Sequence, residues 1–358
     1  MLHFYESPLL IFHHSPTGIS MLKRLFKRKP IPLELPEGFE INPPQFDLAE
    51  INFAQGFDES HYFMPEELTH VYHTPHYGAL SPRERRDYNR LTALALAEQF
   101  IFLEDYLLVP TVERLLRSRN VRCSAGMEQY LHQFVSEEHR HSEMFWRTLE
   151  AAAPERYLSR RFAFARVKSK WWLREALSRW PVMMPLWVWL SLLLEERTVF
   201  LARRFNRAAN VSPLFKQVFE LHMTEEQQHV ALDEILIAAI YTKLPPWLRR
   251  LQARLIHKLF GWYVNPRISP RTVLDALVEL HPRLTSWRSE VAQYMREPGA
   301  NLSFRRLNFT RRVLPRTYAW LATFPELRSV VALLEPEKIS LPIRAAAVYS
   351  GEAPRETM

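Results

Sequence analysis

Apolar residues recur at helical spacing in four long stretches, and each stretch has clear end signals. Ser81-Pro82-Arg83-Glu84 combines a serine cap, a proline in the first turn and a glutamate at the third position, which is typical of a helix start. Pro110 predicts a bend in that first helix, because proline removes a main-chain donor. The predicted helices cover residues 81–116, 124–153, 182–209 and 212–244.

Four long helices with a long connection between the second and the third predict an all-α, ferritin-like four-helix bundle. Residues 1–80 are rich in proline, histidine and aromatic residues and are expected to form an extended N-terminal arm. Residues 81–244 form the predicted bundle core. Residues 245–358 are expected to be a C-terminal helical extension of the same domain, with helices near 246–262, 270–296 and 303–335.

The single cysteine, Cys123, restricts the chemistry. One cysteine allows no intramolecular disulfide and is typical of a reducing cytoplasm, which is the expected location. It also excludes metal sites built from several thiolates. Carboxylates and imidazoles must then hold any metal, and these are ligands that iron and manganese accept.

The chain has a formal charge of +8 and a pI of about 9.6. Two basic segments with aromatic neighbours, 160–172 and 23–29, are the candidates for nucleic-acid binding. Spread basic charge is usually a solvated surface, and an attraction for acidic substrates or acidic electron-donor proteins explains it equally well. The longest uncharged run, from Trp180 to Leu194, is too short to span a membrane and leads into two glutamates. We interpret it as part of a helix buried in the bundle.

Two Glu-x-x-His motifs carry the candidate chemistry: Glu138 with His141 in the second helix, and Glu226 with His229 in the fourth. Residues three apart share a helix face, so each pair directs a carboxylate and an imidazole to one point. Two such helices, with a glutamate from each of the other two, make the ligand set of a di-iron or di-manganese site. A third match, Glu67 with His70 in Glu66-Glu67-Leu68-Thr69-His70, lies outside the long helices and predicts a short surface helix with Pro65 at its start.

The first and third helices each offer two candidate glutamates. If the first two helices run antiparallel around a turn near residue 120, Glu138 and His141 lie beside residue 103 of the first helix. This position favours Glu104 over Glu98 as the ligand. Only one of Glu195 and Glu196 can face the core, because helical neighbours diverge by about 100°. Glu195 follows a fully apolar stretch and is preferred over Glu196.

His222 precedes Glu226 by one helical turn and shares its face, while the matching position in the second helix is Phe134. We therefore expect His222 to be a third histidine ligand. With it, the pattern resembles the p-aminobenzoate N-oxygenase (AurF-like) family, whose di-iron site has four carboxylates and three histidines. The resemblance covers roughly residues 80–240. The expected ligands are Glu104, Glu138, His141, Glu195, His222, Glu226 and His229.

The resemblance implies a di-iron N-oxygenase that uses O₂ and external electrons to oxidise the nitrogen of a small-molecule amine. It implies an electron-donor protein, a ferredoxin or reductase, because no flavin or nucleotide motif is present. A homodimer is expected, and no nucleic acid. A likeness to multicomponent di-iron monooxygenases indicates that Glu137 and Glu225 orient ligand histidines. His139 is expected to be structural or exposed.

Three other functions stay open at this point. The nearest is a di-iron hydroxylase or desaturase that attacks carbon, with a membrane-associated face. A radical-generating subunit would need a tyrosine beside the metals, for which Tyr106 and Tyr130 are candidates. Iron storage is the third. The sequence does not choose between iron and manganese, nor does it identify the substrate.

Overall fold

The computed structural model describes residues 30–335, apart from residues 56, 59, 166–182, 265–268, 298, 299 and 301. Four long helices form the bundle, and a π-helical turn at Glu104–Leu108 separates the first of them from a shorter helix. The bundle elements are α1 (Pro82–Leu103), α2 (Val109–Leu116), α3 (Ala125–Ala152), α4 (Pro154–Tyr157), α5 (Met184–Arg207) and α6 (Pro213–Ile240).

The helix ends follow from local sequence chemistry. Ser81 and Glu84 form a complete capping box at the start of α1. The Ser124 side chain accepts a hydrogen bond from the main chain of Met127 and caps α3. The prediction of an all-α, ferritin-like fold is therefore confirmed.

The predicted first helix differs from the observed one. Its geometry changes at Glu104, six residues before Pro110, where the chain enters the π-helical turn. Pro110 lacks an amide hydrogen and its ring crowds the preceding turn, and a wider turn relieves both problems. The helix resumes as α2 with Pro110 in its first turn.

Among the described residues, the core consists of two apolar clusters, which lie at different levels along the bundle helices. The first cluster contains Phe134 of α3 and Val230 of α6, and the second contains Met144 of α3 and Phe219 of α6. The charged motifs lie in the interval between the clusters on both helices. A polar layer is thus enclosed by apolar packing above and below.

The C-terminal helices pack on the bundle. They are α7 (Pro246–Val264), α8 (Ser269–Leu280), α9 (Thr285–Tyr294), α10 (Leu302–Asn308), α11 (Pro315–Thr323) and α12 (Arg328–Leu334). Helix α7 packs against α5, and α8 packs against α1. The predicted helices at 270–296 and 303–335 are each interrupted, because Pro282, Pro315 and Pro325 start new helical turns.

The described part of the N-terminal arm contains short 3₁₀ turns and one strand. Strand β1 (Ile31–Leu33) pairs in parallel with β2 (Val121–Cys123), the segment before α3. The 3₁₀ turns are Leu48–Glu50, Phe53–Gln55, Glu66–Leu68, Val71–His73 and Tyr77–Ala79; later ones are Tyr241–Lys243, Pro282–Leu284 and Pro325–Leu327.

From Met184 onward, the long uncharged run lies in α5, and Leu186, Trp189 and Leu193 are buried in the bundle. Its first residues, 180–182, fall outside the described residues, as do the basic segments 23–29 and 166–172. No helix among the described residues combines the length and the apolar character needed to cross a bilayer.

Candidate metal centre

Six of the seven predicted ligands come together in the polar layer. They form two overlapping groups of four that share His141 and Glu226, and in each group the potential ligand atoms lie within 4.8 Å of one another. Two overlapping groups are the arrangement that a pair of metal ions requires. The first contains Glu104, His141, His222 and Glu226; the second contains Glu138, His141, Glu226 and His229.

The individual distances show how closely these atoms converge. His222 Nε2 lies 3.3 Å from Glu104 Oε1, and His229 Nδ1 lies 3.0 Å from Glu138 Oε1. His141 Nδ1 lies 3.5 Å from Glu226 Oε1. Carboxylate oxygens and imidazole nitrogens therefore surround a common space.

The donor atoms fit metal ions better than they fit one another. Among the described residues, no hydrogen-bond partner of acceptable geometry is found for Glu104 Oε1, either carboxylate oxygen of Glu138, or Glu226 Oε2. The same holds for Nδ1 of His141 and His229, and for both ring nitrogens of His222. Buried polar atoms without partners are costly. Iron or manganese ions would satisfy this set of oxygen and nitrogen donors.

Two further glutamates hold the ring nitrogens that face away from the cluster. His141 Nε2 lies 2.8 Å from Glu225 Oε2, and His229 Nε2 lies 3.0 Å from Glu137 Oε2. Each carboxylate thus orients the histidine of the opposite helix. With the carboxylate accepting from Nε2–H, the Nδ1 lone pair points into the cluster, as a metal ligand requires.

These two carboxylates have different surroundings. Glu225 also accepts from the guanidinium of Arg140 and from the main-chain amide of Gln45, at 2.7 Å in the second case. Glu137 accepts from the amide of Gln133 at 2.7 Å. Sequence reasoning missed the parts played by Gln45, Gln133 and Arg140. Gln133 and Arg140 lie within four residues of the motif, whereas nothing in the sequence connects Gln45 to it.

Burial and like charges raise the pKa values of the cluster carboxyls. The pKa of Glu104 is well above its ordinary value because of burial and then the charges of Glu138 and Glu226. The pKa of Glu226 is raised to about 7, again mainly by burial. Burial lowers the pKa values of His141 and His222 well below the ordinary value. Without a cation, these four groups therefore resist ionisation. His229 is the exception, because burial lowers its pKa but the charge of Glu138 and hydrogen bonds to neighbouring glutamates raise it more.

The structure separates Glu98 from Glu104. Both side chains are buried, but Glu98 accepts hydrogen bonds from the main-chain amides of residues 163–165 and from the hydroxyl of Tyr157, all within 2.8 Å. Glu98 therefore anchors the segment that follows α4. Glu104 faces the cluster and accepts one hydrogen bond, from Ser142, at 3.1 Å.

Glu195 and Glu196 are both buried on α5 and have different neighbours. Glu196 accepts from the main-chain amides of Arg316 and Thr317 at 2.7 and 2.8 Å, so it caps the start of α11. Glu195 is 3% exposed. It belongs to neither group of four, although its helix contacts the π-helical turn that carries Glu104.

The remaining candidates lie apart from the cluster. Glu66 forms a single 3₁₀ turn with its neighbours and accepts from the hydroxyl of Tyr77, and His70 stacks on Phe304. This segment is not the start of a longer helix, because the turn ends after Leu68. His139 is exposed and bonds Asp105 at 3.1 Å.

One buried acid near the cluster escaped the sequence interpretation. Asp233 lies on α6 one turn after His229, continuing the face of His222 and Glu226, and it is 4% exposed. Burial raises its pKa well above the ordinary value. The spacing alone could have identified it.

Comparison with known proteins agrees with this geometry. The model of the family described as P-aminobenzoate N-oxygenase AurF matches residues 46–320. A search of curated proteins gives no match. Because the match covers most of the chain, this protein belongs to the p-aminobenzoate N-oxygenase family, and hence to the di-iron oxidoreductases.

Proposed function

We propose that this member of the family uses O₂ and external electrons to oxidise the nitrogen of an arylamine to the hydroxylamine and onward to nitroso or nitro products. The first step balances as amine, O₂, two electrons and two protons giving hydroxylamine and water. The ligands we propose are Glu104, Glu138, His141, Glu195, His222, Glu226 and His229.

One observation carries this proposal. In a chain of this family, three histidines and several carboxylates converge, and many of their oxygen and nitrogen atoms have no hydrogen-bond partner among the described residues. When bound, the metal pair supplies O₂ activation, which no side chain provides. Ligands for both metals come from residues on α3, α6 and the π-helical turn, with Glu195 proposed from α5.

The chain itself orients and encloses the site. Glu137 and Glu225 fix the imidazole planes through Nε2, which keeps Nδ1 directed inward. Aromatic rings cover the histidines: Phe134 lies 4.4 Å from the His229 ring, and Phe145 lies 5.0 Å from the His222 ring, centroid to centroid. This apolar cover excludes water from a site that handles a reactive oxidant.

A partly open cavity beside α1 and α5 is the substrate site we propose. Leu96, Gln99 and Leu201 contribute to its wall. Gln99 precedes Glu104 by five residues, or about 8 Å along a helix. The cavity and the polar layer therefore lie at neighbouring levels along α1 and the π-helical turn.

The cavity wall also contains two polar groups that could select the substrate. Arg197 Nε and His70 Nε2 have no hydrogen-bond partner among the described residues. Burial, then the charge of Arg197, lowers the pKa of His70 to about 3, so its ring is neutral. We infer that the amine carries an acceptor group, such as a carboxylate, at the end remote from nitrogen.

The test is turnover of an arylamine panel by iron-loaded protein with ¹⁸O₂ and a chemical reductant, followed by mass spectrometry. We expect labelled oxygen on nitrogen, with faster turnover of aminobenzoates than of aniline. His141→Ala is the matched inactive control, and His139→Ala, an exposed neighbour, should behave as wild type.

Oxygen appearing only on carbon would replace this proposal with a carbon hydroxylase. Aniline and aminobenzoates reacting equally well would remove the selecting role of Arg197 and His70. Two bound irons without any product in the panel would favour a storage function.

A further inference from the structure

One face of α7 carries an uninterrupted exposed stripe of basic and aromatic side chains. Its residues are spaced by three or four, so they lie within about a third of the helix circumference and extend over roughly 22 Å. The two tryptophans at its ends are 40% and 61% exposed. We call this the basic stripe; it consists of Trp247, Arg250, Arg254, Lys258 and Trp262.

The positive charge of the stripe is not neutralised by its own helix or by the helices next to it. Helix α7 contains no acidic residue. Among the described residues, the elements packed against it carry Glu195 and Glu196, which are both buried on α5. Glu326 and Glu335 lie on or beside the other packed elements, and arginines already hold both. Arg249 Nε lies 2.8 Å from Glu326, and the guanidinium of Arg311 lies 2.7 Å from Glu335. The face therefore attracts acidic partners.

The geometry favours a protein over a membrane surface or a second copy of this chain. The apolar side of α7, including Leu248, Ile256 and Phe260, is buried against the protein and is not free to enter a bilayer. Two copies meeting through this stripe would bring like charges together. Exposed tryptophan and arginine in one patch are typical of protein interfaces.

The stripe is also connected to the metal-binding layer. Helix α7 packs directly on α5, which carries Glu195. Beneath the stripe, the Tyr241 hydroxyl reaches the main-chain carbonyl of Arg249 at 3.5 Å, and its ring lies 5.4 Å from that of Trp189. Trp189 is fully buried on α5, six residues before Glu195. A partner bound here would lie over two packed aromatic rings, those of Tyr241 and Trp189, and the second is on the helix that carries Glu195.

We propose that the basic stripe docks an acidic one-electron donor protein of the [2Fe–2S] ferredoxin class. This inference rests on the proposed function, which requires two electrons for each O₂. Two reduced ferredoxins, each oxidised by one electron, supply them in succession. A small, salt-sensitive contact is typical of such transient electron-transfer complexes.

The experiment uses a plant-type [2Fe–2S] ferredoxin and two charge-matched variants of the full chain. The first reverses the stripe with Arg250→Glu, Arg254→Glu and Lys258→Glu. The control reverses three exposed arginines elsewhere, with Arg83→Glu, Arg119→Glu and Arg122→Glu. Stopped-flow absorbance follows ferredoxin oxidation by iron-loaded protein, and surface plasmon resonance follows ferredoxin binding to the iron-free chain.

We expect the stripe variant to lose at least tenfold in both the ferredoxin rate and the affinity, while the control stays within about threefold of wild type. Reduction by dithionite should be unchanged in both variants. Added salt should slow the wild type and leave the stripe variant almost unaffected.

Equal losses in the two triple variants, or a wild type that does not bind ferredoxin, would overturn the docking site. The stripe variant is uninformative if it also loses dithionite reduction or cooperative unfolding, and the single variants Lys258→Glu and Trp262→Ala then replace it. Unchanged ferredoxin kinetics in both single variants would overturn the proposal. The proposal is also overturned if the stripe variant keeps ferredoxin binding and instead loses binding to anionic phosphatidylglycerol vesicles, or loses self-association in analytical sedimentation. Dithionite-driven turnover tests the proposed function separately.

Discussion

The two halves of the metal-binding layer are similar in their motifs and different in what surrounds them. On both α3 and α6, a Glu-x-x-His pair faces the cluster, and the preceding glutamate holds the histidine of the other helix. One turn earlier, α3 has Phe134 whereas α6 has His222. Phe134 packs on His229, while His222 joins the cluster. The repeated motif thus gives the two helices matching ligands, and the position of Phe134 and His222 makes the two halves of the site different.

The supports of the two halves also differ in charge. Glu225 is held by Arg140 and a main-chain amide of the N-terminal arm, whereas Glu137 is held by the neutral Gln133. The α6 acid therefore depends on two other elements, and the α3 acid only on its own helix. The comparison predicts unequal consequences when matched residues are changed.

The largest effect on metal binding is expected from the paired histidines. His141→Ala and His229→Ala should each reduce iron from about two per chain to one or fewer, because each removes a ligand from a buried cluster. Iron analysis by mass spectrometry checks this, and His139→Ala should retain full iron. Full occupancy in either cluster variant would contradict the proposed ligand set.

His222→Phe tests the asymmetry directly, since it gives α6 the residue that α3 carries. The fold should persist, because His222 already lies against the rings of Phe100 and Phe145. Binding of the second iron should weaken at least tenfold, through loss of an imidazole ligand. Iron titration measures it, with Phe134→Leu as the control. Identical titrations for wild type and variant would exclude His222 as a ligand.

The supporting acids should have intermediate effects. Glu137→Gln and Glu225→Gln are each expected to weaken iron binding by about 10- to 100-fold. Glu225→Gln should also lower the stability of the iron-free protein, by about 1–3 kcal/mol, because it leaves the part-buried Arg140 without its carboxylate. Thermal unfolding with and without iron separates the two effects. Equal stability losses would argue against the difference described above.

Glu98→Gln should have the smallest effect on iron. Its carboxylate holds main-chain amides rather than the cluster, so iron content should not change. Unfolding free energy should fall by about 2 kcal/mol, since a charged acceptor with several partners is lost. Denaturant titration gives the stability, and a large loss of iron would return Glu98 to the list of ligands.

Sequence spacing predicted the bundle and the two motifs because both depend on local periodicity. Serine caps and prolines placed the starts of α1, α3 and α6 to within a residue or two. The shift at Glu104 was not predictable in this way. A π-helical turn has no local pattern of its own and depends on how the helix meets its neighbours.

The ambiguous glutamates show a second limit. From the sequence, Glu98 and Glu196 are candidate ligands because each is an acid on a predicted bundle helix. What distinguishes them is a partner distant in sequence: the segment after α4 for Glu98, and the start of α11 for Glu196. Only the folded chain shows that these acids are already occupied.

The π-helical turn also affects how the chain tolerates changes in length. A π turn contains one residue more than an α turn, so removing a single residue between Asp105 and Leu108 would restore the α-helical count but place Pro110 inside a continuous helix. Glu104 would then point in a new direction. A one-residue deletion at this turn would therefore disturb both the helix and the metal site, so the residue count of 104–108 is set by folding and by chemistry together.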